Sequence, residues 1–349
     1  NVVDLRPPPE GVRPSARGGA AGAKRSKPAP VEPVDFNATY ALVSTGSSVL
    51  VMRELIGPDG RPQMHFMSAD AFKLLTANMK VAVGDRAVSA GKLWLESPDR
   101  RQYDGICFRP AADAPKGYLN LWKGFSAIPN AKGSCAIFKD HLLTNCCRGD
   151  PDLFEWVWGW LAHLFQHPGD KPGTALVFRG GQGVGKSTVG EVIGSLIEDH
   201  YLLVDDPRYV TGNFNAHLER TILLQVDEGF WAGDKTAEGR LKGLVTARRQ
   251  MIERKGVDPI PVENHCRLLL TSNESWVVPA GMGERRFCVL EVGDLCRENH
   301  GYFAAMRAEL DNGGRERLLF ELLNTDLKRL DLRSIPSTAA LSDQVEESL

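Results

Sequence analysis

Residues 180 to 188 read Gly180-Gly181-Gln182-Gly183-Val184-Gly185-Lys186-Ser187-Thr188, four glycines followed by a lysine and two hydroxyls. Each glycine inside a helix or strand would cost about 0.5–1 kcal/mol relative to alanine, so the run belongs to a loop whose backbone must closely approach something. Its flanks say what. Thr174 to Phe178 is a short apolar run of buried-strand type, and from Ser187 onward Val189, Val192, Ile193 and Ile197 recur at helical spacing. A strand, a glycine loop and a helix in that order make a phosphate cradle. The loop's N–H groups close around the anion, and the helix presents the positive end of its dipole. Gly180 through Thr188 are therefore the expected ATP-binding residues. Lys186 is expected to neutralise the β and γ phosphates, and Ser187 to hold Mg²⁺.

A phosphate loop alone specifies no reaction. A second apolar run, Thr221 to Val226, ends in Asp227 and Glu228. Two acids at a strand end suit hydrolysis, Asp227 holding Mg²⁺ through its water shell and Glu228 orienting or deprotonating the attacking water. A third run, Arg267 to Ser272, ends in Asn273, whose amide is expected to hydrogen-bond the water or the γ-phosphate. Solvated acids and an ordinary Ser-Asn turn are the bland readings of these ends.

Composition excludes little beyond this. Of 349 residues 42% are hydrophobic and 25% charged, enough for a sizeable core, and no apolar stretch approaches the roughly 18–20 residues of a membrane span. Net charge is −2, so any attraction for nucleic acid must be local. One such place exists. Residues 240–256 carry Arg240, Lys242, Arg248, Arg249, Arg254 and Lys255 against the single acid Glu253. Seven scattered cysteines suit a reducing compartment. Cys135, His141, Cys146 and Cys147 match no established zinc spacing and read as ordinary residues.

The chain divides by composition. Residues 1–36 hold seven of the 21 prolines and almost no large apolar groups, which predicts a basic, flexible linker. Residues 37–149 read as a mixed α+β accessory region. Paired strands are expected over Tyr40 to Leu55, then a short helix from Ser68 to Asn78 with Ala71, Phe72, Leu74 and Leu75 on or near one face. Residues 93–130, rich in aromatics, read as irregular β structure. Asp150-Pro151 is a helix start, giving a connecting helix within 150–170 whose aromatic stripe is a packing face. The nucleotide core is placed at 171–300 and a C-terminal helical region and tail at 301–349.

Taken together, RGGQGVGKST (179–188), LLQVDEGFWAGDKTAEGRLKGLV (223–245), MIERKGVDP (251–259), RLLLTSNE (267–274) and VPAGMGERRF (278–287) resemble the superfamily 3 DNA helicases of the AAA+ class. They are similar to the phage and plasmid primase–helicase group, with its poxvirus-type primase-associated NTPases. Upstream, YDGICFRP (103–110), GYLNLWKGF (117–125) and FEWVWGWLAHLFQHPGDKP (154–172) resemble the region preceding the motor. The likeness spans roughly residues 90–300 and includes the Trp231-Ala232-Gly233-Asp234-Lys235 signature.

This resemblance implies an α/β fold: a P-loop AAA+ core with a central, mainly parallel sheet, preceded by a mixed α+β region and a helical segment. It implies a pore-lining hairpin over Gln250 to Val262 with Arg254 and Lys255 at its tip; the local basic run, more basic at Arg248 and Arg249 than the family pattern, adds those two as expected DNA contacts. Arg285 or Arg286 would serve as an arginine finger for a neighbouring subunit, the other being free to pair with Glu284 or Asp227. The implied function is an ATP-driven ring translocase on single-stranded DNA, a replicative helicase using ATP and Mg²⁺. It would work as a homo-oligomer, hexameric by likeness, in the cytoplasm of a bacterial host, without a membrane partner and with a primase–polymerase domain expected upstream in the same chain. The alternative is an AAA+ ATPase that remodels or loads a replication complex without processive unwinding.

Overall fold

A computed structural model describes residues 33–348 apart from 47, 59–61, 207, 213–214, 229–234, 255–256, 276, 279 and 282. The linker expected over 1–36 thus lies, up to residue 32, outside the described residues. The chain forms two compact units, Asn1–Gln102 and Tyr103–Leu349.

In the smaller unit, Tyr40–Ser44, Val49–Ile56 and Pro62–Met67 form an antiparallel sheet. A short helix, Ala69–Leu75, starts at Ser68, whose hydroxyl accepts the Ala71 N–H at 3.1 Å. Of the four apolar residues expected along one face of this helix, Phe72 is buried while Leu74 is 79% exposed. Two turns offer few inward positions, and Phe72 fills one against Phe36, Tyr40 and Trp94. The Trp94 indole donates to Asn37 Oδ1 at 2.8 Å, so the ring is buried without stranding its N–H.

The larger unit is built on a five-stranded sheet. Its strands are β1 (Ala175–Arg179), β2 (Tyr201–Val204), β3 (Leu223–Val226), β6 (Arg267–Ser272) and β7 (Phe287–Glu291). The spatial order is β2-β3-β6-β1-β7, and every neighbouring pair is parallel. Between β3 and β6 the chain makes helix α3 (Lys235–Thr246) and an antiparallel hairpin, β4 (Arg249–Arg254) with β5 (Val257–Glu263).

Near-continuous apolar strands follow from burial on both faces. Leu176 and Phe178 of β1 enter a core shared with helix α1 (Pro151–Gln166) and helix α2 (Lys186–Gly194). Ala175 and Val177 turn to the opposite core, shared with Leu241, Leu244 and Val245 of α3. That alternation is the strand's two-residue period. Helix α1 begins as its sequence predicts: Asp150 accepts from Asp152 N and Leu153 N, each at 3.0 Å, ahead of Pro151. Such a cap contributes about 1 kcal/mol. Its Trp160, Leu161 and Leu164 are fully buried.

Residues 103–149 fall in this larger unit rather than with 37–102. Phe108, Trp122 and Phe125 pack against the α1 core, and Cys135, Phe138, Leu142, Cys146 and Cys147 are part of it. Their cohesion comes from sequence-distant contacts, which composition does not reveal. Helices α4 (His300–Glu309), α5 (Arg315–Leu323) and α6 (Ala339–Ser348) complete the unit. Among the described residues, no helix is long and apolar enough to cross a membrane.

Candidate nucleotide-binding site

All five strands run the same way, so β1, β3 and β6 deliver their C-terminal ends to one edge of the sheet. Parallel α/β sheets bind ligands at that edge. After β1 the chain turns through the glycine run into α2. Gly185 is the N-cap of α2 with φ +89°, a left-handed conformation open to glycine at little cost. A Cβ there would also lie 2.7 Å from the His141 and Phe303 rings.

Lys186 reaches back across this turn. Its Nζ donates to Gly180 O at 2.9 Å, Gly181 O at 2.6 Å and Asn273 Oδ1 at 2.9 Å. Burial pulls its pKa below the ordinary lysine value, while Asp227 and Glu228 act in the opposite sense. Ser187 Oγ donates to Asp227 Oδ1 at 2.7 Å, and the Thr271 hydroxyl donates to the same oxygen. Glu228, just past the end of β3, has φ +52°, uncommon for a residue with a side chain and costing on the order of 1 kcal/mol. Asn273 Nδ2 faces Glu228 Oε1 at 3.4 Å.

Lys186, Ser187, Asp227, Glu228 and Asn273 thus converge from three strand ends. They line one cavity of about 380 Å³, together with Gln182, Gly183, Gly185, Thr188, Thr271 and Ser272. A serine hydroxyl beside a carboxylate is a hard-oxygen pair of the kind Mg²⁺ accepts, with water and phosphate oxygens completing the shell. The residues therefore fit that ion, and Ser187 and Asp227 are the ones that would hold it.

Four residues around the same cavity, Glu298, His300, Phe303 and Arg307, carry no sequence signal. They arrive on and just before α4, a helix with no motif, after the last strand of the sheet. Arg307 brings a second cation; it offsets the burial and the Asp227 charge that raise the pKa of Glu191 on α2.

The finger candidates lie on the segment before β7. Glu284, with 2% of its side chain exposed, pairs with Arg286 Nη1 at 3.1 Å, while Arg285 is exposed. Neither arginine is among the residues lining the cavity of its own chain. The implied hairpin is present. Arg248 and Arg249 are exposed at its root, and Arg254 pairs in register with Val257. Lys255 and the Trp231 to Asp234 part of the signature lie outside the described residues. Asn215, from the segment leading into β3, holds the hairpin's first strand: its Nδ2 donates to Met251 O and its Oδ1 accepts from Glu253 N, both at 2.8 Å. Burial pushes the thiols of Cys135 and Cys147 up to about 12 and raises that of Cys146 too. His141 is turned toward the phosphate loop, its Nε2 lying 3.1 Å from Gly185 O.

Residues 178–286 match a family model described as a family of unknown function, DUF5906. The chain is 26% identical over 200 residues to the DNA Primase-polymerase of Nitratiruptor phage NrS-1, an alignment covering 56% of this chain and 28% of that protein. It therefore spans under a third of that relative's length. Among solved structures, the apo structure of the NrS-1 C terminal region (305-718) matches with a TM-score of 0.70 at 18% identity, covering 90% of this chain and 74% of that one. The A form apo structure of the same region gives the same TM-score and coverage. The chain is thus similar in sequence to part of a phage primase-polymerase and has a mixed α/β fold, with a parallel sheet, like that of the relative's C-terminal region.

Proposed function

We propose that this chain is an ATP-driven ring translocase on single-stranded DNA, the motor of a phage-type primase–helicase. The observation that carries the proposal is the convergence of Lys186, Ser187, Asp227, Glu228 and Asn273 on one cavity at the C-terminal edge of a parallel sheet. A phosphate-binding loop by itself would serve a kinase or a nucleotide-sensing platform equally well. An acid and an amide facing each other beside the lysine add what hydrolysis needs, a base and an orienting partner for water.

In this reading Lys186 and the loop's N–H groups bind the β and γ phosphates. Ser187 and Asp227 would hold Mg²⁺, whose charge would spread the negative charge of the transferring group. Glu228 accepts a proton as the water oxygen bonds to the γ-phosphorus. The bond to the bridging oxygen breaks, leaving ADP and inorganic phosphate. Asn273, touching both Lys186 and Glu228, reports whether the γ-phosphate is in place. Arg285 supplies positive charge from the neighbouring subunit, which makes a homo-oligomeric ring, hexameric by family likeness, part of the proposal. The hairpin β4–β5, with Arg248, Arg249, Arg254 and Lys255, tracks the strand's phosphates. The similarity to a DNA primase-polymerase supports a replication role, beside an activity that lays down primers.

ATP hydrolysis by the purified chain, with and without single-stranded DNA, tests this directly. DNA should stimulate turnover, Lys186→Ala should abolish ATP binding, and Glu228→Gln should bind ATP while hydrolysing it at least about 100-fold more slowly. Hydrolysis indifferent to DNA would favour a remodelling or loading ATPase. A fully active Glu228→Gln would remove the catalytic assignment.

A further inference from the structure

The phosphate loop is held from behind by two residues that the motifs do not include. His141 and Asn145 stand four apart on a π-helical turn, His141–Cys146, that continues the short helix Ala136–Asp140. Both are fully buried. Asn145 Nδ2 donates to Val184 O at 2.8 Å, and His141 Nε2 lies 3.1 Å from Gly185 O, where the N–H tautomer donates. The turn is itself anchored, since Gly293 N donates to Asn145 O at 2.8 Å. The His141 ring packs between Tyr302 and Phe303, with centroids 5.9 and 5.8 Å away.

Those two carbonyls matter because a peptide unit is planar and trans, so its C=O and N–H point in opposite directions. Fixing the oxygen of residue 184 fixes the N–H of Gly185, and fixing the oxygen of 185 fixes the N–H of Lys186. A P-loop cradles phosphate with backbone N–H groups of this kind. Donors placed behind the loop therefore set the direction of donors in front of it. The fit is close: a Cβ at Gly185 would meet His141 Cε1 at 2.7 Å. A π-turn inserted in a helix is unusual and frequent at functional sites. Here its wider turn lets residues four apart reach two consecutive carbonyls.

We propose that His141 and Asn145 are positioning residues of the nucleotide site, fixing the peptide units on either side of Gly185 so that their N–H groups face the phosphates. The proposal rests on the nucleotide-binding reading above. It makes residues 135–147 part of the ATP site, although no phosphate-binding motif lies there.

The test uses the full chain, ATP and a fluorescent ATP analogue. His141→Ala and Asn145→Ala should each raise Kd for the analogue and KM for ATP by roughly 5–10-fold, the worth of one lost hydrogen bond. The kcat should change by less than that factor. His141→Gln, which can present an N–H donor at similar reach, should recover most of the affinity. Amide exchange within 183–187 should quicken in the alanine variants and not in the glutamine variant. Wild-type Kd, KM and loop exchange in both alanine variants would overturn the proposal, as would equal losses in His141→Gln and His141→Ala. If an alanine variant does not fold, His141→Gln against wild type still decides: Kd and loop exchange must stay near wild type, and a loss in His141→Gln of the roughly 5–10-fold size expected for alanine would overturn the proposal. Failure of the wild-type chain to bind the analogue would instead remove the nucleotide reading itself, and this inference with it.

Discussion

The Glu284 carboxylate accepts the backbone N–H groups of Arg285 and Arg286, at 2.9 and 2.7 Å, as well as the Arg286 guanidinium. With 2% of its side chain exposed, it needs that cation, since a buried carboxylate without a partner is expensive. Arg286 is therefore committed to the fold, and the exposed Arg285 is the one that would serve as the finger in the proposed ring. Arg286→Ala should lower unfolding stability by about 1–3 kcal/mol in a denaturant titration. Arg285→Ala should leave stability unchanged and cut ATP turnover by at least about 100-fold. Wild-type turnover in Arg285→Ala would remove it as the finger. The division of labour was illegible in the sequence because both arginines are adjacent and chemically identical; only the turn around Glu284 separates them. Lys186, Ser187, Asp227 and Asn273 were legible for the opposite reason. Asp227 and Asn273 each follow an apolar run, so local pattern places them at strand ends, while Lys186 and Ser187 close a glycine loop that leads from a strand into a helix. Phe303 and Arg307 reach the same cavity from a helix far along the chain, and nothing local marks them.

Among the elements, the strands were the easiest to read, since burial on both faces writes a run of aliphatic residues into each. The π-turn was not readable: its residues have no periodicity, and its role rests on contacts with a loop some forty residues later. The hairpin stands between these cases. Its basic character is plain in the sequence, but its attachment is not. The first strand is held through Asn215, whose amide and backbone N–H both bond it. The base of the second is held through Asn264, whose Nδ2 donates at 2.9 Å to Leu244 O and Ala247 O at the end of α3. Asn215 lies on the segment that feeds β3, and β3 leads into Asp227 and Glu228. A push on the hairpin thus has a short bonded route to the acid pair. Asn215→Ala removes both side-chain bonds without touching the cavity. Basal hydrolysis should stay within about twofold of wild type, because no phosphate contact changes, while stimulation by single-stranded DNA should fall severalfold. Unaltered stimulation would place the coupling elsewhere, with Asn264 next to examine.

For the whole molecule the net charge of −2 leaves no general attraction for DNA, so in the proposed function binding would rest on the basic residues of 240–256, multiplied by assembly. Copies arranged around a ring would bring several β4–β5 hairpins to a common axis, and would bring Arg285 of one copy to the cavity of the next. A single protomer then holds an incomplete site. Its cavity contains Lys186, Asp227, Glu228, Asn273 and Arg307, but in the proposed ring the arginine finger would come from another copy. Turnover per chain should therefore rise with protein concentration until rings are complete. Mixing supplies the sharper measurement. Lys186→Ala alone cannot bind ATP productively, and Arg285→Ala alone cannot complete its neighbour's site, so each should be nearly inactive. In a mixed ring, wherever an Arg285→Ala chain offers its intact P-loop to the intact Arg285 of a Lys186→Ala chain, a complete site re-forms. With random mixing in equal amounts, about a quarter of the interfaces have that pairing. ATPase activity of the mixture should accordingly approach roughly a quarter of wild type, scaled down if neighbouring sites must fire together. An inactive mixture that still assembles, or turnover independent of concentration, would place the finger in cis and dissolve the link between ring and hydrolysis.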